Sequence, residues 1–240
     1  MGYYGYGFRP YVSIEDKKAK ARRSVEKLKK KNPNIDPIYI EGNTIAKTWW
    51  GKSWNRNLES YADFSNRIAR GRSYVKNGAV LDLQIEQGKV HALVQGSGRG
   101  YYNVVIEIDR LSQSKWNHIS AICNRKIDSL ENLIQGKFPK ELEVLFTTKE
   151  DGIFPHPKEI HFQCSCPDIA VVCKHVAAVL YGIGSRLDQD PLLFFTLRDI
   201  DVEVLIKKSI EEKMNSMLKN ADQKSERTIE DSEIFDLFGV

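Results

Sequence analysis

Three segments decide the fold of this chain: Val80-Leu81-Asp82-Leu83-Gln84-Ile85, Val90-His91-Ala92-Leu93-Val94 and Tyr102-Asn103-Val104-Val105-Ile106-Glu107-Ile108. Their apolar residues alternate or run together, which is typical of β-strands. Gln87-Gly88 and Gly96-Ser97-Gly98 stand between them, and short connections that contain glycine indicate hairpins. The sequence therefore predicts an antiparallel sheet of three or four strands.

The segment before these strands carries helical patterns. Residues 14–31 contain no glycine or proline, and Ser13 followed by Asp16 resembles a capping box, so a basic surface helix is predicted there. Ile38-Tyr39-Ile40 is interpreted as a short strand and residues 44–62 as a second helix. Of the tryptophans in that helix, we expect Trp49 and Trp54 in the core and Trp50 at the surface.

From Arg70 onward the hydrophobic pattern changes from helical to strand-like, and Tyr74-Val75 is interpreted as the first strand segment. We therefore expect Arg70-Gly71-Arg72 to form a loop just before the first hairpin. Beyond the sheet, a strand is predicted at residues 159–163. Further helices are predicted at 112–135, at 139–147, from Val176 to a stop at Gly182 and Gly184, at 190–195 and at 201–217.

Cys164-Ser165-Cys166-Pro167 and Cys173-Lys174-His175 place four potential metal ligands within twelve residues. Thiolate and imidazole are ligands that Zn²⁺ prefers, and two close pairs joined by a short turn lose little chain entropy. Cys164 and Cys166 are too close in sequence to form a comfortable disulfide. We expect the first pair at the end of a strand and the second at the first turn of a helix.

A site with four protein ligands is closed, whereas a catalytic zinc keeps one position for water. The sequence therefore predicts one structural Zn²⁺ held by Cys164, Cys166, Cys173 and His175. Neither Gly-x-Ser-x-Gly nor His-Glu-x-x-His occurs. We expect no catalytic site and no enzyme activity.

The pattern Cys-x-Cys-x6-Cys-x-His resembles the SWIM zinc finger, and the chain is similar to prokaryotic SWIM zinc-finger proteins over much of its length. Softer similarity lies at residues 5–12, 69–75 and 173–182. The resemblance implies the same four ligands, a β-β-α finger, binding to DNA or protein, and partnership with a Swi/Snf-type helicase-like ATPase. The chain has no GxxxxGK[ST] loop, so it is not that ATPase.

Together these features predict an α+β protein with an antiparallel sheet flanked by helices and a zinc-stapled β-β-α SWIM finger in its C-terminal half. We divide it into an aromatic, glycine-rich N-terminus with a basic surface helix (1–37), an α+β core domain (38–150), the finger with following helices (151–217) and a mobile polar tail (218–240). No run of eighteen apolar residues and no secretory signal occurs, so we expect a cytoplasmic protein without membrane contact.

Charge is unevenly distributed although the net charge is only +4. Residues 15–31 hold nine lysines and arginines against three acids, and residues 47–76 hold seven against two. Such clusters are typical of nucleic-acid-binding surfaces, although a solvated surface helix would look the same. The resemblance to SWIM zinc-finger proteins implies DNA rather than RNA as the nucleic acid. Two other functions stay open: a protein-interaction adaptor and a thiol redox protein. The candidate nucleic-acid contacts are Lys17, Lys18, Lys20, Arg22, Arg23, Arg70, Arg72 and Lys174.

Overall fold

The computed structural model describes residues 12–60, 65–98, 100–123, 148 and 152–221. Its sheet has four antiparallel strands in the order β1-β2-β3-β4. They are β1 (Val80–Glu86), β2 (Lys89–Gln95), β3 (Tyr101–Ile108) and β4 (Ile160–Cys164). The three strands predicted from the hairpin pattern and the strand predicted before the cysteines are all confirmed.

Seven α-helices lie in the described part of the chain. They are α1 (Ile14–Lys29), α2 (Trp49–Glu59), α3 (Ser65–Lys76), α4 (Gln113–Cys123), α5 (Lys174–Leu187), α6 (Leu193–Leu197) and α7 (Val202–Ala221). Helices therefore flank an antiparallel sheet, as predicted. No helix among the described residues combines the length and hydrophobicity that crossing a bilayer would require.

Helix α1 begins where the sequence predicts. The Ser13 side chain accepts a hydrogen bond from the Asp16 backbone N–H at 3.0 Å, which satisfies one of the free donors of the first turn. The Ser13 hydroxyl also donates to the Asp16 carboxylate at 2.7 Å. Ala21 and Val25 are the buried residues of this helix, so it contributes only a thin apolar stripe to the interior.

The interpretation of Tyr74-Val75 as a strand is wrong, because both residues belong to α3. Ile68 and Val75 are buried seven residues apart, which is the spacing of one helical face. Arg70-Gly71-Arg72 therefore lies on a helix and not in a loop. The short strand at Ile38-Tyr39-Ile40 is also not formed.

The segment around residue 38 instead runs beside β1 with few backbone contacts. Ile38 N–H donates to the Val80 carbonyl at 3.1 Å, and Leu83 N–H donates to the Asp36 carbonyl at 3.0 Å. Pro37, between them, has no N–H to add to a ladder. The segment is therefore held in place without becoming a fifth strand.

Helix α5 is the centre of the fold and does not stop at Gly182 and Gly184, contrary to the sequence prediction. A Cβ at residue 182 would lie 2.8 Å from Leu83 Cδ1, and one at residue 184 would lie 2.5 Å from Asn55 Oδ1. The two glycines therefore allow α5 to pack closely against the sheet and α2. The Trp54 indole N–H donates to the Leu180 carbonyl at 2.8 Å across the same contact.

Trp50 is buried with 2% of its surface exposed, so its predicted surface position is wrong. Its ring packs against Phe194 and Phe195 of α6, with centroids 5.7 and 5.8 Å away. Trp54 is buried as predicted, and Trp49 packs against the core while remaining partly exposed. The second helix buries more of its surface than the sequence pattern indicates.

Several predictions fall outside the described residues: the aromatic N-terminal segment, the helix at 139–147, the continuation of the helix at 112–135 beyond Cys123, and the tail from residue 222. The division into four units stays a prediction. Ile38, Leu83 and Ile183 share one hydrophobic core, which therefore includes residues from both sides of the proposed boundary at 150/151.

Candidate metal centre

The first cysteine pair is held at the end of β4. Cys164 is the last residue of that strand and pairs with Val104 of β3. Just beyond it, Ser165 N–H donates to the Asn103 carbonyl at 3.0 Å, and Asn103 N–H donates to Ser165 Oγ at 3.0 Å. These two bonds fix the turn between Cys164 and Cys166 against the sheet.

The second pair lies at the start of α5, as the sequence predicts. Cys173 is the N-cap residue, and its sulfur accepts a hydrogen bond from Val176 N–H at 3.5 Å. His175 belongs to the first turn of the helix. Free backbone N–H groups and the helix dipole favour a thiolate at this position.

The four side chains converge on one point. Their ligand atoms, three sulfurs and one ring nitrogen, all lie within 4.8 Å of one another. His175 Nδ1 is 3.9 Å from Cys164 Sγ and 3.8 Å from Cys173 Sγ. Zn–S bonds of about 2.3 Å in a tetrahedron place two sulfurs about 3.8 Å apart, so this donor set fits zinc.

The pKa shifts of the cysteine thiols also favour metal binding. A hydrogen bond from the Cys164 thiol lowers the pKa of Cys173, and His175 and the Val176 N–H act in the same direction against burial. The same contact with Cys173, together with burial, raises the pKa of Cys164. One thiolate is therefore favoured in the metal-free cluster, and a metal ion would displace the remaining protons.

The loop between the two pairs is anchored at one side and exposed at its tip. Arg67 of α3 forms an ion pair with Asp168 at 3.2 Å, and Asp168 accepts a hydrogen bond from Ala170 N–H at 3.3 Å. Ile169 and Val171 are 99% and 77% exposed. Apolar side chains this exposed contribute nothing to the core that the described residues form.

Two tyrosine rings enclose the His175 ring. The ring centroids of Tyr74 and Tyr102 lie 5.5 and 4.6 Å from that of His175. His175 Nε2 is buried and has no hydrogen-bond partner among the described residues. This differs from the usual metal-bound histidine, whose second nitrogen donates to an acceptor. Aromatic packing therefore sets the orientation of the ring here.

The candidate nucleic-acid contacts fall into three places. Lys17, Lys18, Arg22 and Arg23 are exposed on α1, and Lys20 donates to the carbonyls of Gly96 and Gly98. Arg70 and Arg72 are exposed on α3. Lys174, on α5, lies over the Tyr74 ring at 5.6 Å from its centroid.

Arg72 is already engaged within the protein. Its guanidinium is 2.5 Å from Glu59 Oε1 and donates to the Tyr181 hydroxyl at 3.1 Å. These two hydrogen bonds, Tyr181 first, raise the pKa of Arg72. Burial, followed by the Glu59 contact, raises the pKa of Tyr181. The prediction that Arg72 lies in a loop is therefore wrong, and its contact with nucleic acid stays a prediction.

The sequence identifies the four candidate ligands, which the structure brings together, but not the residues that position them. Arg67, Tyr74, Tyr102 and Asn103 come from α3 and β3, at least sixty residues before the cluster. No local pattern near the cysteines identifies them. Only the pairing of β3 with β4 and the packing of α3 on α5 bring them to the site.

The chain is similar to one curated protein, described as "Uncharacterized protein Rv2102" of Mycobacterium tuberculosis. The two are 36% identical over 163 residues, which is 68% of this chain and 58% of the relative. The match therefore spans less than two thirds of that protein's length. No protein-family model and no solved structure matches the chain.

Proposed function

We propose that this chain is a non-catalytic zinc protein that binds nucleic acid, with DNA favoured over RNA, and that it serves a Swi/Snf-type helicase-like ATPase. The observation that carries the proposal is the unpaired positive charge on α1. The zinc site supports it by stabilising the helices and loop around the site. The ATPase enters through the resemblance to SWIM zinc-finger proteins alone.

Zinc in this proposal is structural. Cys164, Cys166, Cys173 and His175 supply a full set of four ligands, so no position is left for a reacting water. Binding there would join the end of β4 to the start of α5 and hold the loop between them. The chemistry that the ion supplies is coordination of three thiolates and one imidazole.

Within the described residues, no carboxylate neutralises the positive charge on α1. Among the described residues, none of the lysines and arginines of this helix forms a salt bridge, although other cations of the chain do. Lys17, Lys18, Arg22 and Arg23 are all exposed. A phosphate backbone would replace the counterions that such a surface attracts.

Fluorescence anisotropy of a labelled oligonucleotide, single-stranded or duplex, tests the proposal. Each cation that contacts duplex DNA adds about 0.9 to the slope of log K against log salt. We expect Lys18→Gln with Arg22→Gln to reduce that slope by about 2 and to weaken binding. The matched control is Lys207→Gln with Lys219→Gln on α7, which removes two charges elsewhere.

Equal effects of the two double variants, or affinity of the unaltered protein that does not change between about 50 and 200 mM salt, would contradict the proposal. The charges removed are the same in number, so net charge cannot explain a difference between the variants. Binding confined to RNA would retain the nucleic-acid function and overturn the preference for DNA.

A second function is favoured by the exposed tip of the zinc loop. Ile169 and Val171 present an apolar surface without a partner in the described chain, which suits docking of another protein. Purification of the intact protein from its own cells, with and without nuclease, separates the two functions. An ATPase that stays bound after nuclease treatment and is lost with Ile169→Ser supports the adaptor. An ATPase released by nuclease supports nucleic-acid binding.

A further inference from the structure

Two clefts share Lys76 in their linings, and we refer to them together as the groove. The first has a volume of about 310 Å³ and is lined by α1, residues 39–41 and the end of α3. The second has a volume of about 490 Å³ and is lined by residues 43–46, α2, α3 and Tyr181. Lys76 lines both clefts, while residues 39–41 line the first and residues 43–46 the second.

The groove is strongly basic. Lys18, Arg22, Lys52, Arg56, Arg72 and Lys76 line it, against the two carboxylates of Glu41 and Glu59. Glu59 is neutralised by Arg72 at 2.5 Å and accepts the Tyr181 hydroxyl at 2.5 Å. Five cations then face one carboxylate. Of the six cations that line the groove, the sequence analysis names Lys18, Arg22 and Arg72 as candidate contacts.

Tyr39 supplies an aromatic ring in the first cleft. Its side chain is 53% exposed, whereas the neighbouring Ile38 is buried and bonded through its backbone to β1. The backbone that carries the ring is therefore fixed although the ring itself is open to solvent. An exposed ring on a fixed backbone beside unpaired cations has the composition of a surface on which nucleic-acid bases stack.

We propose that this groove binds single-stranded nucleic acid, with a base stacked on Tyr39 and the backbone phosphates contacting the lysines and arginine that line it, namely Lys18, Arg22, Lys52 and Lys76. The proposal rests on the nucleic-acid function proposed above and names the form of the ligand and its place. A base in a duplex is stacked on its neighbours and offers no free face to Tyr39. The eight residues from 39 to 46 span at most about 28 Å, which suits a short single-stranded segment.

The test uses the full chain and a labelled oligothymidylate of about 15 nucleotides, within the range of site sizes for such grooves. Removing a base–aromatic stack costs a factor of about 5 to 150 in affinity. We expect Tyr39→Ala to weaken binding by such a factor and Tyr39→Phe to restore most of it. Tyr101→Ala is the matched control, because Tyr101 is 49% exposed on β3 and lies outside the groove lining.

A second pair of variants tests the second cleft, which Lys52 and Lys76 both line. Lys52→Gln with Lys76→Gln should lower the salt slope for the single strand by about 1.4, since each phosphate contact contributes about 0.7. Lys207→Gln with Lys219→Gln should leave it unchanged. Loss of affinity without a change in slope would overturn the assignment of these lysines to phosphates.

The outcomes separate this inference from the function on which it rests. If the unaltered protein binds neither single-stranded nor duplex nucleic acid, the groove proposal and the nucleic-acid function are both overturned. If it binds but Tyr39→Ala behaves like Tyr101→Ala, the groove is overturned while the nucleic-acid function stands. A preference for duplex that is independent of Tyr39 likewise overturns the groove and leaves the nucleic-acid function standing.

Discussion

Gly71→Ala tests how closely α3 approaches α5, the helix that carries Cys173 and His175 at its start. A Cβ added at residue 71 would lie 2.4 Å from Ala177 Cβ, 2.7 Å from Ala177 C and 2.8 Å from Ala178 N. Two of these atoms belong to the backbone, which cannot rotate away. Ala177 is only two residues beyond His175, so a shift of the helix contact would reach the metal centre.

The magnitude follows from two opposing effects. Alanine in place of glycine within a helix stabilises it by about 1 kcal/mol. Carbon atoms pack best at about 3.5 to 4.0 Å, so the helices would have to separate by about 1 Å or more. Overpacking costs about 1 to 3 kcal/mol, and contact with backbone atoms places Gly71→Ala at the upper end. We expect a net loss of about 2 kcal/mol in the free energy of unfolding.

Denaturant unfolding of the zinc-loaded protein, followed by tryptophan fluorescence, measures this loss. Competition with a chromophoric chelator measures zinc affinity, which we expect to fall because α5 must shift. Gly98→Ala is the matched control: a Cβ there meets no atom of the described residues within 4 Å, so its effect should stay within about 0.5 kcal/mol. A Gly71→Ala protein as stable as the control, or more stable, would refute the close approach of the two helices.

Two further predictions concern the cysteines and a buried ion pair. Thiol reagents should label Cys164, Cys166 and Cys173 slowly in the zinc-loaded protein and rapidly after chelation; rapid labelling before chelation would favour a redox role instead. Glu159→Gln should destabilise the protein by about 2 kcal/mol, because the fully buried Arg198 guanidinium loses the negative charge 3.4 Å away and keeps neutral acceptors such as the Asp109 carbonyl, at 2.7 Å. Burial raises the pKa of Glu159, but His156 N–H, Arg198 and Lys115 together lower it below the ordinary value of a glutamate. The stabilisation is therefore present at pH above the ordinary glutamate pKa and is lost as the pH falls through the lowered pKa, so acid unfolding of the Gln variant should be less steep; equal pH profiles would contradict this.

The parts of the fold that depend on neighbouring residues were predictable from the sequence. The hairpins of β1, β2 and β3 follow from glycine-containing turns, and α1 begins at Ser13 because the cap and its partner are three residues apart. The four metal ligands are likewise local, since their spacing alone suits a tetrahedral ion. In each case the interaction that fixes the structure lies within a few residues of the pattern that indicates it.

Other features depend on distant residues and could not be predicted from local patterns. Helix α2 begins at Trp49 rather than at residue 44 because the Asp188 carboxylate accepts hydrogen bonds from the N–H and hydroxyl of Thr48 at 3.0 and 2.5 Å. Gly184 indicates a helix stop in sequence but allows close packing in the fold. Trp50 is buried by α6, which follows it by more than 140 residues.

Helix α3 links the metal centre to the groove. Near its start Arg67 holds the zinc loop through Asp168, Tyr74 packs on His175, and Arg72 and Lys76 line the groove. Because zinc binding would fix His175 and the loop, it would also restrict the movement of α3, and with it the groove. A closed zinc site would thus influence the proposed nucleic-acid binding without touching the nucleic acid. We therefore regard the metal as a support for the surface that α1, α2 and α3 form together.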